Sequence, residues 1–228
     1  MSRATLLLMR WLAAGFVALA ATSHALAEDD PPGRVGRLAD LQGGVSLYDD
    51  ERGEWVPAVR NRPLTNGDRL STDGGGRAEV RIGSTTLRLG GGSELEVLRL
   101  DDDRLKLKLH SGSLALRLRS RETADGTEVQ TEEVTLHPLR GGRYRVDRQD
   151  DSTFATAWRG ELRVEDKESP FTVDGGRRVE LWREGRGDTL RRNWTSIPDD
   201  EFSDWVARED RRDERSASNR YVSPEMTG

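Results

Sequence analysis

From Val35 to about Trp182 apolar and polar residues alternate with period two, and no other feature constrains the fold as strongly. Leu105-Lys106-Leu107-Lys108-Leu109 and Leu114-Ala115-Leu116-Arg117-Leu118-Arg119 alternate without error, and Ala78 to Ile82 and Thr86 to Leu89 follow the same rule. In an extended chain this places aliphatics on one face and charges on the other. Gly, Asp and Asn break the runs at short intervals, as at Gly43-Gly44, Asn66-Gly67-Asp68, Asp73 to Gly76 and Asp101 to Asp103. Many short strands at this spacing predict an all-β sandwich, barrel or solenoid. No helical period is visible in this region. Composition agrees: 34% of residues are hydrophobic and 34% charged, which suits thin β structure with one wet face better than a thick core.

A short motif recurs, in which Gly precedes two alternating apolar residues. It stands at Gly43 to Leu47, Gly112 to Leu116, Gly142 to Val146 and Gly160 to Val164. Glycine turns the chain where a side chain would clash, and the alternating pair then enters the core. The irregular spacing predicts a β-solenoid-like stack of short strands and hairpins, with a β-sandwich as the alternative. Adjacent Val97-Leu98 breaks the alternation and predicts a bulge. Glu94 and Glu96 are then expected to face Lys106 and Lys108 across a hairpin closed near Asp101-Asp102-Asp103.

The chain ends differ from this pattern. Arg3, an apolar stretch and Ala25-Leu26-Ala27 read as a signal peptide over residues 1–27, with cleavage after Ala27 and a linker over 28–34. Its uninterrupted apolar part, Trp11 to Ala21, is shorter than the ~20 residues a spanning helix needs, so no membrane span is expected after cleavage. Cysteine is absent, which removes disulfides and a lipid-attachment cysteine. Near the other end, Pro198 and the acids 199–201 predict a helix over 196–212. Phe202, Trp205 and Val206 form its apolar stripe and are expected to dock it on the β domain, capping one end of the stack and an open strand edge. Residues 213–228 read as a polar tail.

Chemistry-bearing groups are sparse. His110 and His137 have no third metal ligand at a usable spacing. Asp101-Asp102-Asp103 lacks the ligand spacing of a calcium loop, and Asp73-Gly74-Gly75-Gly76 precedes a strand, whereas anion-cradling loops open helices. No Gly-x-Ser-x-Gly is present. A formal net charge of −5 argues against nucleic acid. No catalytic, cofactor-binding or metal-binding residue is assigned, and the chain is not expected to be an enzyme. Trp158 and Trp205 sit in clear patterns and read as core residues. Trp55 lies beside a turn and keeps a glycan-stacking role open.

The ordered series of turns resembles the FecR domain of Gram-negative bacteria. The residues that carry it are Gly44-Val45, Trp55, Pro63-Leu64-Thr65-Asn66-Gly67-Asp68, Leu70, Thr72 and Ala78-Glu79-Val80. Leu109 to Leu114 with Gly112, Gly142-Arg143-Tyr144-Arg145-Val146, Trp158 to Val164 with Gly160, and Val173 to Val179 continue it. The resemblance spans about residues 33–185 and implies a FecR-like β domain over 35–190, solenoid-like, serving protein–protein contact in envelope signalling. Trp55, Pro63, Gly67, Asp68, Gly112, Gly142, Tyr144 and Gly160 become structural motif residues on this reading. Thr131-Glu132-Glu133 departs from the Thr-Pro that the family often carries. The regulators that gave the family its name carry an anti-sigma segment and a membrane span, and here a signal peptide stands in their place. Asn219 to Met226 is similar to the junction at which the secreted members continue, so a fragment or shortened member is expected. The implied function is a non-catalytic periplasmic protein-binding, scaffold or envelope-sensing domain without cofactor, its partner an envelope protein. The alternative is a carbohydrate- or peptidoglycan-binding module using exposed tryptophans.

Overall fold

The computed structural model describes residues 34–167, 169–185 and 189–219. The signal peptide, the linker before Arg34 and residues 220–228 of the tail lie outside the described residues. Seventeen strands form one hydrogen-bonded system that divides into two layers. The first layer, in spatial order, is β4 (Pro63–Leu64), β1 (Gly36–Gln42), β6 (Arg77–Ile82), β7 (Thr85–Leu89), β9 (Leu105–Leu118), β12 (Gly142–Gln149), β13 (Ser152–Arg159), β16 (Arg177–Glu184) and β17 (Thr189–Thr195). The second layer is β3 (Glu54–Pro57), β2 (Val45–Asp49), β5 (Arg69–Thr72), β8 (Glu94–Leu100), β9 again, β10 (Thr127–Gln130), β11 (Thr135–Pro138), β14 (Glu161–Glu165) and β15 (Phe171–Asp174).

Strand β9 joins the layers. Residues 105–111 pair with β8 in the second layer, and residues 112–118 pair with β12 in the first. The joint is Gly112, whose φ of +81° is a left-handed value. A Cβ there would also collide with Ser93. Leu105, Leu107 and Leu109 on one side of the joint and Leu114, Leu116 and Leu118 on the other all enter one core cluster, which lies between the layers. Burying each such side chain stabilises the fold by about 1.5–3 kcal/mol, taken as an upper estimate. The all-β class with one long C-terminal helix therefore follows from the alternation. Successive hairpins stack from layer to layer, and the two layers enclose a single core.

The bulge falls where the sequence breaks: the register shifts between Val97 and Arg99, and Leu98 is left exposed. Glu96 lies opposite Lys108 as expected, whereas Lys106 faces Arg99 and Glu94 faces Ser111. Lys106 pairs instead with Glu128 on β10 (3.1 Å). One short helix, α1 (Arg121–Asp125), has no counterpart in the sequence pattern. It is capped by Ser120, whose Oγ accepts from the Thr123 N–H (3.2 Å). Its place follows from topology, because β10 runs parallel to β9 and parallel neighbours need a crossover.

Helix α2 (Glu201–Asn219) starts and ends later than the spacing predicts. Asp200 caps it, accepting from the Ser203 N–H (2.8 Å). The helix does not cap the end of the stack. Trp205 and Val206 are buried against Ala115 in the central strand β9, with Phe202 and Trp158 packed around them. The small Ala115 side chain leaves a groove in the middle of the first layer's outer face, and the aromatic stripe fills it.

Candidate functional site

The face under helix α2 carries charge, and the charge is buried. On β7, Arg88 is 1% exposed. Its Nε–H donates to Glu79 Oε2 (2.9 Å), Nη1 to Asp210 Oδ1 (2.6 Å) and Nη2 to Asp213 Oδ2 (3.1 Å). A second node lies toward the start of the helix. Arg145 on β12 donates from Nε to Asp147 Oδ1 (2.7 Å) and from Nη1 to Asp200 Oδ1 and Ser203 Oγ (both 2.8 Å). Arg178 Nη2 reaches the other Asp147 oxygen (3.2 Å). Burial works against both Arg88 and Arg145, but their carboxylate partners outweigh it and raise both guanidinium pKa values. Arg178 goes the other way, lowered by burial and by the neighbouring Arg145 charge despite Asp147. Burial alone would raise the Asp200 carboxyl, yet the hydrogen bonds from Arg145 and Ser203 hold it at about 2.

None of these pairings was visible as such in the sequence. Ala78-Glu79-Val80-Arg81 and Leu87-Arg88-Leu89 read as wet-face alternation. The signal that could have found them is on the helix, where Phe202, Val206, Asp210 and Asp213 fall on one stripe, so that acids prolong an apolar face.

The motif residues are placed as follows. Tyr144 is fully buried. Its hydroxyl donates to the Arg140 carbonyl (2.6 Å) and accepts from the Glu161 N–H (3.2 Å), tying β12 to β14. Gly160 makes room for that hydroxyl, since a Cβ there would collide with it, and a Cβ on Gly142 would strike the Arg159 carbonyl. Asp68 Oδ2 accepts from the Thr65 N–H (2.6 Å) and Oγ–H (3.2 Å), closing the turn around Gly67. Pro63 begins the edge strand β4. Trp55 is 39% exposed on the outer face of the second layer, edge-on to Tyr48 at 5.3 Å, with Arg69 over both rings. The structure brings Gly142, Tyr144 and Gly160 together; it keeps them apart from Trp55 and from the helix stripe.

The two ends of the stack differ in their edges. At one end the edge strands β3 and β4 are short and carry Pro57 and Pro63, a pattern that resists further pairing. At the other, β17 is seven residues long without proline, and among the described residues it pairs only with β16. Its Arg191, Arg192, Asn193 and Trp194 are exposed. Trp194 meets Phe171 of β15 edge-on at 6.2 Å, Arg177 stacks on Trp194 at 3.8 Å and Arg192 on Phe171 at 4.3 Å. This stack closes the last rung of the core beside an open, basic strand edge. Among the described residues no group of three or more His, Cys, Asp or Glu is placed to hold a metal ion, and no helix is long and apolar enough to cross a membrane.

Residues 68–163 match the family model for FecR protein. This segment is similar to a FecR domain. The matched FecR segment runs from the turn before β5 into β14 and includes the β9 joint and Tyr144; β15 to β17 and helix α2 lie beyond it. No curated protein matches. Two crystal structures of a proposed anti-sigma factor from Parabacteroides distasonis ATCC 8503 are similar, at 14% and 13% identity and TM-scores of 0.46 and 0.45. Each alignment covers 56% of this chain and 60% of theirs.

Proposed function

We propose that this chain is a non-catalytic periplasmic module that binds an envelope protein by adding a partner strand to β17, in an envelope-sensing or regulatory role. The observation that carries the reading is the open seven-residue edge of β17, with ladder groups unpaired among the described residues. Arg191 on that edge is already paired with Glu184 (2.6 Å), but Arg192 has no acidic partner among the described residues and favours an acidic partner strand. The FecR match supports a regulatory rather than catalytic role. Periplasmic export rests on Arg3, the apolar stretch and Ala25-Leu26-Ala27.

The test joins capture with hydrogen exchange. An envelope protein captured by the wild type should slow exchange of the 189–195 amides, and Arg191→Glu with Arg192→Glu should lose it. Protection elsewhere, or equal capture by the variant, would refute strand addition at β17. Mass spectrometry of the exported form should find Glu28 as its first residue, and a full-length membrane-retained product would rule out cleavage after Ala27. A second reading, glycan binding, is favoured by the exposed Trp55 beside Tyr48. Titration with peptidoglycan fragments that quenches tryptophan fluorescence in the wild type but not in Trp55→Ala would establish it in place of the first.

A further inference from the structure

A row of like charge crosses the first layer beside helix α2. Arg117 on β9 lies directly opposite Arg143 on β12, and Arg143 lies opposite Arg159 on β13. Like charges facing each other across a sheet are destabilising unless something neutralises them. The helix neutralises one side of the row. Arg117 Nη1 is 3.5 Å from Asp210 and Nη2 is 3.1 Å from Glu214, and Arg143 Nη1 is 3.6 Å from Asp210 Oδ2. Helix α2 does not neutralise the other side. Arg159 has no ion-pair or hydrogen-bonding side-chain partner among the described residues, and neither has Arg119, two residues beyond Arg117. Arg140 nearby is already paired with Glu161.

All four arginines of this group line one cleft of about 660 Å³, floored by Gly141 and Gly142, with Glu214 as its single acid. In a chain whose net charge is negative, this is a local excess of positive charge in a concave site. Guanidinium groups match the oxygens of phosphate and carboxylate with paired donors. With Arg117 and Arg143 already shared with Asp210 and Glu214, the unpaired Arg119 and Arg159 leave an excess of positive charge that suits a ligand with more than one negative charge.

We propose that this cleft binds a multiply charged oxyanion of the phosphate-ester or pyrophosphate class, either free or as the headgroup of a lipid. Arg119 and Arg159 are the specificity-giving contacts, and Arg117 and Arg143 are shared between the ligand and the helix acids. The site lies on the outer face of the first layer and is separate from the β17 edge.

Calorimetric titration of the whole chain with inorganic pyrophosphate at low ionic strength tests the free form, and co-sedimentation with phosphatidic acid vesicles tests the headgroup form. In at least one of the two, saturable binding is expected. Arg119→Ala with Arg159→Ala should weaken it on the order of tenfold or more, the loss of two charge-assisted contacts. Arg163→Ala, an exposed arginine on the opposite layer, should leave it unchanged. Since neither Arg119 nor Arg159 holds a described partner, the double variant should melt no lower than the wild type. Absence of binding in both arms would overturn the proposal. So would equal weakening by Arg163→Ala, or binding of polyglutamate but of neither phosphate probe.

Discussion

Both layers alternate apolar and charged residues, yet their outer faces meet opposite fates. On the second layer, Glu96, Lys106, Lys108, His110 and Glu128 stay partly in water. Their pairs are local: His110 Nε2 with Glu96 at 2.8 Å, and Lys106 with Glu128 at 3.1 Å. On the first layer, Glu79, Arg88, Arg145 and Asp147 occupy equivalent outward positions but are buried, because helix α2 lies over them. The same kind of residue is thus a modest contributor on one face and an obligatory partner on the other. Exposed ion pairs are worth at most about 1 kcal/mol. Removing one member of a buried pair costs about 3–5 kcal/mol, because the remaining charge is stranded away from water.

The comparison can be broken in several places. Ending the chain after Pro198 should have the largest effect. It strips Trp205 and Val206 from Ala115 and takes Asp200, Asp210 and Asp213 from their arginines, so the loss should exceed the roughly 3–5 kcal/mol of one broken buried pair. Urea unfolding and light scattering of residues 28–198 against 28–228 would measure it, with a lower midpoint and self-association expected. Equal midpoints and equal monomeric behaviour would make the helix an independent appendage.

Next in size is Arg88→Ala, which leaves Glu79 and Asp210 buried without their central partner. Urea denaturation should show a loss of about 3–5 kcal/mol. Lys106→Ala on the wet face should cost no more than about 1 kcal/mol, and equal costs would abolish the distinction between the faces.

Asp200 gives a smaller and pH-dependent effect, since its side chain remains 38% exposed. Its folded pKa of about 2 lies below the ordinary value near 3.8. The ionised carboxylate therefore stabilises the fold above about pH 4, and this contribution disappears as pH falls through about 2. Thermal melts of the wild type and Asp200→Asn should differ at pH 6 and converge toward pH 2. A gap that stays constant across this range would show that charge on Asp200 does not hold the helix start.

The smallest effect is expected from Glu96→Gln, which removes the pair with His110 on the wet face. Its melting temperature should stay within the few degrees that ~1 kcal/mol produces in a domain of this size. A larger drop would mean that the second layer also depends on its charges.

Much of this was legible in the chain itself. Perfect alternation in Leu105 to Leu109 and Leu114 to Leu118 revealed the strands and their inward faces, because a period of two has only one structural solution. Val97-Leu98 marked the bulge for the same reason. Phe202, Trp205 and Val206 identified the helix and its contact stripe. Helix α1 escaped notice because five residues carry no period; the need for a crossover between parallel β9 and β10 creates it.

What the tertiary structure alone decided is where the like-looking charges go. Alternation tells which residues face away from the core, but an outward face is wet or dry according to what lies on it. Whether Arg88 would be solvated like Lys106 or buried between Glu79 and Asp210 depended on a helix more than a hundred residues away. Where that helix landed was set by the groove over Ala115 and by the acids that extend its apolar stripe. Those are long-range matches of shape and charge, and no local period encodes them. The row formed by Arg117, Arg143 and Arg159 arose likewise from the registers in which β9, β12 and β13 pair.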